Sequence, residues 1–177
     1  MTLFEISPTV LDREAFVARY GGVYEHSPWI AERAFDAGLI ENATTVEDLA
    51  ALLRTQVEAS DAEQQLALLR AHPDLAGKLG IADALTEASA NEQAEAGLGA
   101  CTAKEFERFQ ILNTVYKEQF DFPFIFAVTG YSRKTILEIF ERRVENDRET
   151  EFGEALKQVH RIALLRLKAL VREKANS

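Results

Sequence analysis

What most restricts the folding of this chain is a repeated helix-start signal, joined to the lack of any convincing pair of strands. A serine or threonine stands three positions before an acid at Thr45/Asp48, Ser60/Glu63, Ser89/Glu92 and Thr102/Glu105. At that spacing, hydroxyl and carboxylate can each satisfy a backbone N–H at a helix N-terminus. Helices are expected at about 46–58, 61–71 and 103–120 after three of these pairs, and helical character over about 85–96, which contains Ser89/Glu92, is ended by Gly97 and Gly99. Others follow from different punctuation. One runs over about 11–20 and stops at Gly21-Gly22, and one over about 28–37 has Ser27 at its N-cap and Pro28 at its first position. Ser132 starts one at about 133–145 that Asn146-Asp147 breaks, and the longest runs over about 149–174. The fold class is therefore all-α, a single-domain multi-helix bundle of about seven to nine helices over residues 1–177.

Composition agrees with one domain and narrows the partners. With 177 residues, 47% hydrophobic and 28% charged, the chain can bury a sizeable core. A net charge of -9 argues against nucleic acid or an anionic membrane as the main partner, since both need a basic surface. It leaves room for a small anionic substrate in a locally basic pocket. The single cysteine, Cys101, cannot form an internal disulfide, which fits a reducing compartment. The N-terminus lacks a basic start and long apolar run, no later run reaches the roughly 18 apolar residues of a membrane span, and the closing K-A-N-S is no peroxisomal address. Cytoplasmic localisation is the default expectation.

Two features need partners that the pattern does not name. Phe106, Phe109, Leu112, Val115, Tyr116 and Phe120 recur at three- and four-residue intervals and predict a wide core face on their helix. After it comes D-F-P-F-I-F-A-V-T-G (121–130), whose apolar stretch between Pro123 and Gly130 suits a buried extended segment. Without a second strand, some of its N–H and C=O groups are free to hold a ligand. In the last helix the apolar stripe comprises Phe152, Ala155, Leu156, Val159, Ile162, Ala163, Leu167 and Leu170. Arg166 falls about 40° from the centre of that stripe at 100° per residue. A guanidinium there is expensive unless something anionic or carbonyl-rich meets it.

The stretch 71–93 holds the densest set of reactive groups. Proline disfavours helical geometry in the residue before it, so the 61–71 helix should stop near His72 and present that imidazole at a fixed exit, followed by Pro73. A histidine at a helix end before proline is by itself more often structural than catalytic. Ser89, Glu92 and Gln93 stand at i, i+3 and i+4 and share one helix face, although Ser89-Ala-Asn-Glu92 is also a capping-box pattern. The two readings of these residues are compatible. Together the carboxylate, amide, hydroxyl, imidazole, Arg166 and the unpaired run could form a polar pocket for a small, flat, nitrogen-rich molecule with several carbonyls. His26, before the Ser27 cap, reads as a hydrogen-bonding spacer or a minor site candidate. His26, His72 and His160 are far apart, with no H-E-x-x-H or Cys/His cluster, so a metal site has little support. No P-loop, dinucleotide fingerprint or G-x-S-x-G elbow occurs, and cofactor-free chemistry is expected.

These motifs together resemble a known family. A-H-P-D-L-A-G-K (71–78), L-T-E-A-S-A-N-E-Q (85–93) with A-G-L after it, F-P-F-I-F-A-V (122–128), A-L-K-Q-V-H-R-I-A-L-L-R-L (155–167) and V-Y-E-H-S-P-W-I-A-E-R-A (23–34) are similar to the OHCU decarboxylases. The resemblance covers nearly the whole chain. It implies conversion of 2-oxo-4-hydroxy-4-carboxy-5-ureidoimidazoline to (S)-allantoin and carbon dioxide in urate degradation. It implies His72 as the catalytic proton donor, Pro73 lining the substrate site, and Glu92 as the essential carboxylate within a binding segment of Ser89, Ala90, Asn91, Glu92 and Gln93. It further implies substrate contacts from the backbone of Phe124, Ile125, Phe126, Ala127 and Val128, with Arg166 as the pocket arginine. After A-V the family often has a basic residue before glycine where this chain has Thr129, so no role carries over to that side chain. The family is all-helical, usually homodimeric, and uses no metal or organic cofactor. Leu165, on the polar face of the last helix, is a candidate dimer contact. Two other functions fit the same pocket: a non-catalytic helical module that binds a ureide or purine, and a hydrolase of the same pathway acting through an activated water.

Overall fold

The computed structural model describes residues 3–4, 7–75 and 102–175. Among them are seven α-helices: α1 (Arg13–Tyr20), α2 (Trp29–Asp36), α3 (Val46–Glu58), α4 (Ala62–Ala71), α5 (Ala103–Phe120), α6 (Arg133–Arg143) and α7 (Arg148–Ala175). Short 3-10 turns occupy Pro8–Val10 and Leu39–Asn42. No strand occurs among the described residues beyond one isolated bridge between Leu3 and Thr45. The fold is all-α, as the capping pattern predicts. The expected 85–96 helix lies outside the described residues, as does Cys101.

The start signals acted in most places as expected, and the exceptions have local causes. Thr45 and Asp48 form a reciprocal capping box, as do Thr102 and Glu105, while Ser132 accepts from the Thr135 N–H. At α4 the cap is Asp61 rather than Ser60. The Ser60 hydroxyl donates to the Val57 carbonyl at 2.7 Å to finish α3, and Asp61 Oδ1 accepts the Gln64 N–H at 2.8 Å. At α2, Pro28 has helical dihedrals and is the N-cap, with no side-chain capping bond, so Ser27 does not take that part. At α1, Asp12 caps the helix through the Ala15 N–H.

The chain packs as two compact units, Met1–Ala71 with His160–Ser177, and His72–Val159. The first is built on α1 to α4 and the later part of α7. Its core includes Phe16, Tyr20, Leu49, Leu53 and Leu69, all 1% exposed or less. The second is built on α5, α6 and the earlier part of α7 around an aromatic cluster. Tyr116 lies edge-on or tilted to Phe120, Phe122, Phe124 and Phe140, with ring centroids 4.6 to 5.9 Å apart, and Phe124 stacks on Phe140 at 3.8 Å. The predicted face of α5 needs one correction. Val115 is 44% exposed, and buried Asn113 joins Phe109, Leu112, Tyr116 and Phe120 instead. Its amide earns that position by donating to the Leu75 carbonyl at 2.7 Å.

Candidate functional site

Helix α4 ends at Ala71, so His72 is the first residue beyond it, as the following proline predicts. His72 and Pro73 are half-buried. The segment after them is fixed to α5 at two points: Lys117 Nζ donates to Asp74 Oδ2 at 2.6 Å, and Asn113 takes the Leu75 carbonyl. His72 thus sits between a helix end and an anchored turn. Ser89, Ala90, Asn91, Glu92 and Gln93 lie outside the described residues.

The run Phe124, Ile125, Phe126, Ala127 and Val128 is buried throughout and is neither helix nor paired strand. Hydrophobic burial of its aromatic side chains brings backbone groups out of water, where each needs a partner. The protein supplies side chains for some of them. Arg143 Nη1 donates to the Ile125 carbonyl at 2.7 Å, and the Ala127 N–H donates to Gln158 Oε1 at 3.1 Å. The Val128 carbonyl accepts from the Tyr131 N–H at 3.0 Å. The N–H and C=O of Phe124 and Phe126, the N–H groups of Ile125 and Val128 and the C=O of Ala127 make no hydrogen bond among the described residues. Backbone groups left without a partner among the described residues are what a buried segment with no strand to pair with should have.

The Arg143 side chain that holds this run belongs to a buried polar cluster that sequence reasoning missed. Glu151, 0% exposed, accepts from Arg143 Nε at 2.8 Å, from Asn146 Nδ2 at 2.8 Å and from the Tyr116 hydroxyl. Burial pushes the Tyr116 phenol pKa well up, with Arg143 opposing and Glu151 adding to the shift, so the phenol keeps its proton and donates. The Arg143 guanidinium also lies 4.6 Å from the Phe124 ring centroid.

Arg166 is buried at 7% exposure in the other unit, as its place in the α7 stripe requires. Its Nη2 pairs with Glu25 Oε2 at 3.1 Å, and Glu25 is itself 4% exposed. The anionic partner that the stripe position calls for is therefore, at least in part, a carboxylate of the chain itself. The same unit contains Tyr24, whose hydroxyl lies 2.8 Å from His160 Nδ1. Burial, reinforced by Arg54, lowers the pKa of His160 to about 4, so its ring is neutral at pH 7. His26 is exposed at a left-handed φ of 55°, which fits a spacer at a turn. Among the described residues no group of three or more His, Cys, Asp or Glu could hold a metal ion.

The sequence signal that found Arg166 could also have found two of the missed residues. Glu151, Ala155, Gln158, Ile162 and Arg166 are separated by steps of three or four and follow one row of α7. All five are buried.

The family model for OHCU decarboxylase matches residues 9–168. The chain belongs to the OHCU decarboxylase family. A 2-oxo-4-hydroxy-4-carboxy-5-ureidoimidazoline decarboxylase from Haloferax volcanii is 44% identical over 157 residues, which is 89% of this chain and 89% of that one. A crystal structure of (S)-allantoin synthase matches 93% of this chain with a TM-score of 0.76 and 34% identity, and this chain spans about half of it, 52%. A crystal structure of OHCU decarboxylase in the presence of (S)-allantoin matches at a TM-score of 0.66 over 92% of this chain and 99% of its own; at 20% identity it speaks to the fold alone.

Proposed function

We propose that this member of the OHCU decarboxylase family is a carboxy-lyase, converting 2-oxo-4-hydroxy-4-carboxy-5-ureidoimidazoline to (S)-allantoin and carbon dioxide in urate degradation. Within that family, the observation that carries the reading is the 124–128 run. It is a buried, non-helical segment in a helical protein, and the N–H and C=O of Phe126 and the N–H of Val128 make no hydrogen bond among the described residues. A substrate built of ring amide and ureido groups offers the carbonyls and N–H groups such a segment takes.

The substrate itself supplies the electron sink, so the reaction needs no organic cofactor or metal. The bond to the carboxylate breaks, its electrons shift into the adjacent ring C=N, and the nitrogen takes up a proton. The resulting enol loses its hydroxyl proton as the ureido-bearing carbon gains one, which leaves carbon dioxide and allantoin with one proton consumed. The protein's tasks are to hold the carboxylate out of the ring plane, stabilise developing charge and deliver the proton to one face. Glu92 engages the substrate hydroxyl or ring N–H. His72, fixed at the end of α4, supplies or relays the proton. Pro73, the segment of Ser89, Ala90, Asn91 and Gln93, the 124–128 backbone and Arg166 hold the ring and its substituents. The whole chain, residues 1–177, acts as one domain, as a homodimer in the cytoplasm with no nucleic acid or membrane partner.

Circular dichroism during turnover of freshly generated substrate tests the activity. Rapid appearance of one allantoin enantiomer with carbon dioxide release is expected. Slow racemic product at the uncatalysed rate would refute it, and tight ligand binding at that rate would identify a non-catalytic ureide-binding module.

A further inference from the structure

Two side chains clamp the 124–128 run along one edge, and the other edge is held only at its end, where the Val128 carbonyl accepts from the Tyr131 N–H. The Phe124 and Phe126 rings stack with centroids 6.2 Å apart and planes 24° from parallel. That is the separation of alternate side chains in an extended chain, which advances about 3.3 Å per residue. In such a chain, the N–H and C=O of one residue face one edge and those of the next face the other. Arg143 takes the carbonyl of Ile125 and Gln158 takes the N–H of Ala127, two residues that share an edge. Phe126 and the N–H of Val128 belong to the opposite edge and make no hydrogen bond among the described residues.

Both clamps are themselves held. Gln158 Nε2 donates to Glu154 Oε1 at 2.8 Å, which fixes the amide so that its oxygen meets the Ala127 N–H. Arg143 is fixed by its ion pair with Glu151 and by the Phe124 ring. Gln158 lies within the buried row of α7, where an amide has no apolar reason to be. We infer that Gln158 and Arg143 are positioning residues for substrate binding. By tying down the edge of Ile125 and Ala127, they hold the Phe126 N–H, the Phe126 C=O and the Val128 N–H as a rigid donor, acceptor and donor for planar amide groups of the substrate. This role rests on the decarboxylase reading above.

Gln158 gives the cleaner test, because Arg143 is half of a buried ion pair. Gln158→Met keeps the length of the side chain and removes the acceptor for Ala127. The exchanged pair Glu154→Gln/Gln158→Glu restores an acceptor at position 158 and a donor at position 154. Steady-state kinetics should show KM raised about tenfold in Gln158→Met, the worth of one hydrogen bond, with a smaller change in kcat and a far-UV spectrum like wild type. The exchanged pair should return KM to near the wild-type value. An unchanged KM in folded Gln158→Met overturns the inference, and so does an equal rise in both variants, which a purely structural role would produce. Should Gln158→Met fail to fold, Gln158→Asn withdraws the amide by one methylene and carries the same expectation and the same refutation. A wild-type protein that releases no carbon dioxide overturns the functional reading and this inference with it. Wild-type turnover with no KM effect at position 158 overturns the inference alone.

Discussion

Glu151→Gln isolates the charge of the most deeply buried acid among the described residues. Glu151 is 0% exposed and accepts hydrogen bonds from Arg143, Asn146 and Tyr116. The substitution preserves the shape of the side chain and leaves Arg143, 4% exposed, without its counter-charge. It also brings an NH2 group among side chains that now all donate to the carboxylate. Breaking one partner out of a buried ion pair costs about 3–5 kcal/mol, because the remaining charge stays desolvated. A chain of this size shifts its thermal midpoint by about 2–4 °C per kcal/mol, so a fall of about 6–20 °C is expected. Thermal unfolding followed by far-UV circular dichroism, with urea titration for the free energy, measures it. The exposed pair of Arg13 with Asp36 gives the contrast, since Asp36→Asn there should leave the midpoint nearly unchanged. A Glu151→Gln midpoint as close to wild type as that of Asp36→Asn would refute the view that this charge pair is energetically buried.

His160 should make stability pH-dependent in a defined window. Its folded pKa of about 4 lies below the unfolded value of about 6.5, so the neutral ring is the form the fold favours. As pH falls from 7 to 5 the unfolded chain takes up a proton that the folded chain does not, and stability declines by about 2 kcal/mol; below pH 4 both states are protonated and the loss levels off. His160→Gln should flatten the urea-derived profile between pH 7 and 5 by that amount, and an unaltered slope would remove the histidine from the account. In the proposed reaction, His72→Asn and Glu92→Gln should each lower kcat by about 10²- to 10⁴-fold with the far-UV spectrum intact. Full activity in either variant would end that residue's assignment.

Local rules carried the helices far. A capping pair is closed by atoms only three residues apart, so Thr45/Asp48 and Thr102/Glu105 fix their helix starts from the sequence alone. Ser60/Glu63 failed because two adjacent residues could cap, and the winner depended on how the preceding helix ended. Pro73 located the exit of α4 at His72 for an equally local reason, a steric conflict with the residue before the ring. The 124–128 run was legible as buried and extended, but its holders Arg143 and Gln158 were not, because nothing local links them to Ile125 and Ala127.

Arg166 shows where periodicity stops and what lies beyond it. The 3.6-residue period identified a buried guanidinium, and burial required a counter-charge, but the partner proved to be Glu25, 141 residues away in sequence. The same row of α7 contains Glu151, which anchors Arg143 and through it Ile125, and Gln158, which holds Ala127. Each of these polar residues meets chain that is not helical: Arg166 pairs with the buried Glu25 carboxylate between α1 and α2, and the other two serve the buried 124–128 run. A helix satisfies its own backbone groups, so an all-α protein that buries non-helical chain must find partners for it among side chains. In α7 those partners interrupt an apolar stripe at positions a core would otherwise fill with leucine or isoleucine. A misplaced polar residue in a helical stripe is thus evidence first for an irregular buried segment of the chain itself. It becomes evidence for a ligand where such a segment still has backbone groups, as at Phe126 and the Val128 N–H, that no described residue satisfies.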